Sequence, residues 1–171
     1  NNAFCLMAEL GLRPTEVNKL IVKKDPTTKE FYWFCTYEKK GGGGTTEPRR
    51  IEPLPLLDRD GKEVKWNLID RFRANLLPLP ERVDGDACKV YLQRREGWKQ
   101  LKEMMKKKEG SNLVPYSFRH YYSLRGHIAG IDSGSMASSM GHSIEAHHRA
   151  YPYSSKASTT NAFKQARERL T

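Results

Sequence analysis

Residues 31–56, FYWFCTYEKKGGGGTTEPRRIEPLPL, interrupt an otherwise helical chain. Phe31 to Tyr37 is a run of aromatic and β-prone residues. Lys39-Lys40 and four glycines follow, and Thr45 to Leu56 resumes with Arg49-Arg50-Ile51 before ending in Pro53-Leu54-Pro55-Leu56. Strand, glycine loop and strand predict an antiparallel hairpin. The prolines mark the exit from the sheet, because proline cannot donate to a strand ladder. Four consecutive glycines leave the pairing register open.

Outside this stretch the apolar spacing is helical. Phe4, Met7, Ala8 and Leu12 share a face, and Val17 and Leu20 continue it. Gly11 and Pro14 interrupt the pattern, which predicts a helix, a turn at Gly11-Leu12-Arg13 and a second helix opening at Pro14. Trp66, Ile69, Phe72 and Leu76 predict a helix over Lys65 to Leu76, ended by Pro78 and Pro80. Val90 to Lys108 reads as one long helix with Leu92, Trp98, Leu101 and Met105 on its apolar side. Another runs from Pro115 to about Ile128, and a short one holds Met136, Ala137 and Met140 before Gly141. Phe163, Ala166 and Leu170 form the stripe of a last helix within a 154–171 tail, which would pack on its own domain in a fragment without DNA or else dock on a neighbouring protomer. The predicted class is α+β, mainly α with a small antiparallel β hairpin.

With 171 residues, the chain suits a single domain able to bury a core without staples. Its three cysteines, Cys5, Cys35 and Cys88, make neither a disulfide framework nor a zinc ribbon. There is no apolar run long enough to span a bilayer. The formal charge of +10 favours a polyanionic partner, nucleic acid first. The chain starts inside a helix and without an initiator Met, which reads as a piece of a longer protein.

Five local patterns carry chemistry. In Gly11-Leu12-Arg13-Pro14-Thr15-Glu16, Glu16 can orient Arg13 and leave its guanidinium fork for a phosphate. Lys39 and Lys40 precede the glycine loop, from which a lysine can deliver a proton. In Pro115-Tyr116-Ser117-Phe118-Arg119-His120, Tyr116 and Arg119 share a helical face, making Arg119 a buried cation or a second phosphate clamp. Gly141 stops a helix and fixes the position of His142. His147 and His148 raise the question of a metal, but the ligand spacing is missing, so none is assigned. In Arg149-Ala150-Tyr151-Pro152-Tyr153, a tyrosine hydroxyl could act as a nucleophile beside cations, with Tyr153 competing for the role.

The order arginine, lysine, (Tyr)xxArg, Gly-His and tyrosine resembles the catalytic domain of the tyrosine recombinase (phage integrase) family. GLRPTE is similar to that family's GLRxSE box, YSFRH to its HxxRH box, and MGHS with Tyr151 nine residues after His142 to its LGHS…Y box. RRIEPLPL looks like the strand that follows the family's lysine. The resemblance covers about residues 5 to 153. It departs where Tyr116 stands in place of the first histidine of HxxRH.

This resemblance implies a site-specific recombinase or integrase that cleaves and rejoins DNA through a 3′-phosphotyrosyl intermediate without metal or ATP. Tyr151 would attack, Arg13, Arg119, His142 and Tyr116 would hold the phosphate, and Lys40, or else Lys39, would protonate the leaving oxygen. Glu16, Lys39 and His120 would support the site. Arg49, Arg50, Arg94, Arg95, Lys106, Lys107 and Lys108 are the basic residues expected to contact the DNA backbone. Residues 1–171 would be a single catalytic domain lacking the N-terminal core-binding domain. The implied partner is double-stranded DNA, on which the protein assembles as a homo-oligomer (tetramer), while the fragment alone is a monomer. No membrane and no cofactor is implied, and the location would be the cytoplasm, at the nucleoid of a bacterial, phage or mobile-element host. The alternatives are a catalytically decayed DNA-binding protein and a type IB topoisomerase-like enzyme.

Overall fold

The structure, a computed structural model, describes residues 1–40, 45–151, 160, 163–164 and 166–168. Tyr153, the glycine run and most of the tail helix lie outside the described residues. The described tail positions are helical, but Phe163 is 65% exposed rather than packed on the domain.

Helix α1 (Asn2–Leu10) buries Leu6, Met7 and Leu10 and stops at Gly11, whose φ of 65° closes the helix through an N–H bond to the Met7 carbonyl. The expected second helix is a 3₁₀ segment over Pro14–Lys19. From Leu20 the chain enters a strand that the helical spacing did not predict, β1 (Leu20–Lys24). Ile21 and Val22 favour extended backbone, and β2 (Phe31–Cys35) pairs with them antiparallel. β3 (Arg49–Ile51) pairs with the other edge of β2, giving the order β1-β2-β3. The expected hairpin is therefore the second half of a three-stranded sheet. Lys39 and Thr46 bridge beyond its regular part.

α2 (Leu68–Arg73) is shorter than expected because Asn67 and Asn75 take positive φ at its two ends. Its Phe72 packs edge-on against Trp33 of β2 at 5.1 Å. The single helix expected over Val90–Lys108 is two, α3 (Gly85–Gln93) and α4 (Glu96–Glu109). Asp84 caps α3 by accepting the Ala87 N–H at 2.8 Å, starting it earlier than the apolar pattern implied. Extended backbone at Arg95 breaks the run. The break lets two aromatic rings dock at once, Tyr91 on Phe4 at 5.5 Å and Trp98 on Phe118 at 5.9 Å.

α5 (Ser117–Ile128) packs along α1, and α6 (Ser133–Met140) packs on β3. α7 (Ile144–Ala150), also not predicted, packs on α6 with Ser143 capping its start. One core joins α1, the 3₁₀ segment, the sheet, α2 and α3 around Leu6, Leu12, Val17, Trp33 and Ile51. A second holds Tyr122, Met136, Met140 and Tyr151. The site lies where the two meet. Among the described residues no helix is long and apolar enough to cross a membrane.

Candidate functional site

The turn after α1 sets the first arginine. A Cβ on Gly11 would stand 2.3 Å from the Tyr122 ring, so both the close approach and the positive φ require glycine. Two residues on, Arg13 caps the 3₁₀ segment. Glu16 accepts from the Arg13 backbone N–H at 2.8 Å and from its Nη1 at 2.7 Å.

Glu16 is fully buried and serves three cations. Besides Arg13, it accepts from Arg49 Nη2 at 2.9 Å and lies 3.6 Å from Arg119 Nη1. Burial alone would raise its pKa, but the guanidiniums of Arg49, Arg119 and Arg13 outweigh burial and hold it below the usual carboxylate range. Burial draws Arg119 below the ordinary arginine value, helped by the charge of Arg13 and opposed by Tyr116, Glu16 and Tyr151. Arginine starts so far above neutrality that Arg119 remains a cation. Three guanidiniums around one carboxylate leave an excess of two positive charges.

The same arginines collect the carbonyls at the end of α6. Arg49 Nε donates to Ser139 O at 2.8 Å and its Nη2 to Met140 O at 3.1 Å. Arg119 Nη2 donates to Met140 O at 2.5 Å and its Nη1 to Gly11 O at 2.7 Å. Arg13 Nη2 and the Thr46 hydroxyl both donate to Gly141 O at 3.1 Å. A helix C-terminus ends in unpaired carbonyls and partial negative charge, which these cations neutralise. Gly141 has φ 69°, and a Cβ there would meet the Arg49 guanidinium at 2.4 Å. Arg119 Nε and Arg49 Nη1 are buried with no protein hydrogen-bond partner.

Gly141 hands the chain to His142, whose ring stacks on Tyr151 with centroids 5.9 Å apart. His142 Nδ1 lies 3.3 Å from Ser143 O. A carbonyl only accepts, so Nδ1 carries the proton of the neutral ring and Nε2, buried and unpartnered, is bare. Burial first, then the charge of Arg119, lowers the His142 pKa to about 4. Tyr151 is 4% exposed and also packs against His120 at 5.3 Å and His147 at 4.9 Å. Burial and then Arg119 lower His120 as well. Tyr116 opens α5 on the exposed side, edge-on to His120 at 5.2 Å and 5.9 Å from the Arg119 guanidinium. The structure thus brings Arg13, Glu16, Tyr116, Arg119, His120, His142 and Tyr151 into one neighbourhood.

The remaining sequence candidates separate. Arg49, one of the residues expected to contact the DNA backbone, lies inside the Glu16 cluster, because alternation along β3 sends it inward with Ile51. Arg50 projects from the other face, pairs with Glu52 at 2.7 Å and lies over the Tyr32 ring. Arg94, Arg95 and Lys106 to Lys108 are exposed, and Arg95 covers Tyr91. Lys39 and Lys40 are exposed. A groove runs from Arg13 and Tyr116 to α3 and α4, lined by Lys89, Lys102 and Trp98. Lys89, Lys102 and Thr46, which no charge run or motif marks in the sequence, join this neighbourhood only through the fold. Among the described residues, no group of three or more His, Cys, Asp or Glu could hold a metal ion.

No family model matches the chain, and no curated protein matches it. Among solved structures it is similar to the Tn1549 transposon integrase in complex with circular intermediate DNA, at 17% identity and TM-score 0.50 over 99% of this chain and 59% of that one. A single-substitution variant of the same integrase, in complex with transposon right end DNA, matches at 17% identity and TM-score 0.50, over 99% and 58%. The likeness is one of fold, and the chain spans somewhat over half the length of those integrase chains. It agrees with the expected class, mainly α with a small antiparallel sheet, in a fold similar to that integrase's.

Proposed function

We propose that this chain is the catalytic domain of a DNA strand-cleaving and rejoining enzyme that forms a 3′-phosphotyrosyl intermediate, as in site-specific recombination. The observation that carries the reading is the excess of buried positive charge around Glu16, set beside a tyrosine that stacks on a histidine with a bare nitrogen. Attack by an oxyanion on a phosphodiester needs fixed cations and donors where charge develops. Arginine supplies them permanently and with a bidentate fork.

In this reading Tyr151 Oη attacks phosphorus, and the bond from phosphorus to the 5′-oxygen breaks. The phenol proton passes to His142 Nε2. Arg13 and Arg119 hold the nonbridging oxygens, with Tyr116 donating a further hydrogen bond. A hairpin lysine gives its proton to the departing 5′-oxygen. Strand pairing favours Lys39 over Lys40 for that step. Lys39 pairs directly with Thr46, and directly paired residues share a sheet face. Thr46 points at Gly141, beside His142. The phosphotyrosyl bond conserves the energy of the phosphodiester, so a second 5′-hydroxyl can reverse the step without ATP. Lys89 and Lys102 in the groove, with Arg94, Arg95 and Lys106 to Lys108, are the proposed backbone contacts. The domain would act with a preceding core-binding domain, on double-stranded DNA and as a tetramer.

The test is a nicked suicide substrate made from the ends of the element that carries the gene, incubated with the full-length protein and resolved on a denaturing gel. A covalent adduct lost in Tyr151→Phe and retained in Tyr153→Phe is the expected result. An adduct lost only in Tyr153→Phe would move the nucleophile. Salt-sensitive DNA binding without an adduct would replace the enzyme with a decayed binding module.

A further inference from the structure

His147 is fully buried, yet the proposed chemistry does not use it. It sits on α7, four residues before Tyr151, and its carbonyl accepts the Tyr151 N–H at 2.8 Å. Its ring lies 4.9 Å from the Tyr151 ring and stacks on His142 at 5.1 Å with 24° between planes. Its Nε2 is 2.8 Å from Nε2 of His127, a hydrogen-bond distance. His127 is on α5, the helix that carries Arg119. The pair therefore joins the helix bearing the tyrosine to the helix bearing the buried arginine.

The direction of this bond follows from the rest of the ring. His147 Nδ1 is buried with no hydrogen-bond partner. A buried N–H without an acceptor costs more than a bare ring nitrogen in an apolar contact. The favoured neutral tautomer of His147 thus keeps its proton on Nε2 and donates it to a bare Nε2 of His127. His127 then carries its own proton on Nδ1. The adjacent His148 meets His147 only at a distant edge, 6.4 Å between centroids, and takes no part in the stack.

A helix of seven residues does not hold its own geometry. α7 needs an anchor if the ring at its end is to keep one pose. We infer that His147 is a positioning residue for Tyr151 and His142, locked in place by the hydrogen bond its Nε2 donates to His127. Packing of the His147 ring sets the distance of Tyr151, and the bond sets the rotation of that ring about its own axis. The effect on strand cleavage rests on the proposed function; the tautomer and the ring packing do not.

Two measurements test this. Long-range proton–nitrogen spectra of the histidine-labelled chain at pH 7 are expected to show His147 with its proton on Nε2 and His127 with its proton on Nδ1. His147 protonated on Nδ1, or as an imidazolium, would overturn the inference without any DNA. In His127→Phe the His142 and Tyr151 ring resonances are expected to move; unchanged resonances would also overturn it. With cleavable DNA, His127→Phe and His147→Phe should each slow adduct formation about tenfold, the size of one net hydrogen bond. DNA affinity should stay unchanged. The double variant should be no slower than the slower single, and His147→Gln, which keeps an N–H donor, should recover part of the rate. Multiplying losses, or a wild-type rate in His127→Phe, would sink the positioning role. If even the wild-type protein forms no adduct, the functional reading fails, and the spectra still decide the histidine pair.

Discussion

Two clusters meet at the turn Met140-Gly141-His142, and they hold it by opposite means. On one side, Arg13, Arg49 and Arg119 bind one carboxylate and the carbonyls of Ser139, Met140 and Gly141. On the other, His142 and His147 pack with Tyr151 as neutral rings, and His127 joins His147 through one imidazole–imidazole bond. The arginines keep their charge in any environment; they share their donors between Glu16 and backbone carbonyls and leave Arg119 Nε and Arg49 Nη1 without a protein acceptor. The histidines are kept uncharged by burial and by the neighbouring positive charge. The proposed strand cleavage asks one site both to attract an anion and to move a proton, and this fold sets the two kinds of group on two sides of a single glycine turn.

The widest test of that contrast is Glu16→Gln. One buried guanidinium, Arg119, and two partly buried ones, Arg13 and Arg49, would lose their shared anion, and stability should fall by about 3–5 kcal/mol in urea unfolding. A loss below about 1 kcal/mol would mean that the carbonyls alone satisfy the arginines. Arg49→Met sharpens the point. It removes the donor to Ser139 O while Arg119 still serves Met140 O, so about 2 kcal/mol should be lost. An effect within about 0.5 kcal/mol would return Arg49 to the surface cations.

The smallest effect separates the clusters by pH. His142 and His147 have pKa values near 4 in the fold against an ordinary 6.5. His127, His148 and Arg119 face His147 from α5 and α7, and His142 from the turn. Between those values the unfolded chain binds more protons, so stability rises with pH and is lost on acidification from 6.5 toward 4. Glu16, held below its ordinary value, adds loss of the same sign at still lower pH. Glu9 opposes it: burial, outweighing the attraction of Arg125, raises Glu9 to about 7, so its contribution falls as pH rises from 4.5 to 7. Urea midpoints measured from pH 4 to 7 in a Glu9→Gln background should therefore rise with pH. Adding His147→Phe should lower the proton uptake on unfolding by about one. An unchanged uptake would mean that His147 is already charged in the fold.

Legibility in the sequence followed the range of the interaction. The Arg13–Glu16 pair was visible because three residues of spacing and a capping geometry are local facts. Gly141 was visible as a helix stop, since positive φ selects glycine. β1 was hidden because Val17 and Leu20 continue a helical spacing, and only pairing with β2 makes that segment a strand. The break at Arg95 was hidden for a similar reason: the two rings it serves, Phe4 and Phe118, are distant in the chain.

By itself, the sequence determined the α+β class, the basic character and the order of the arginine, histidine and tyrosine patterns. These depend on composition, periodicity and glycine or proline stereochemistry, which act over a few residues. The tertiary structure decided which member of each adjacent pair turns inward. Arg49 and Arg50 are identical in type, yet strand alternation buries one against Glu16 and leaves the other over Tyr32. His147 and His148 are likewise identical, and the helix places one in the stack and the other outside it. A linear pattern carries no sign for the face a strand or helix turns inward; that sign comes from the packing partner, and here the partners are Glu16 and Tyr151.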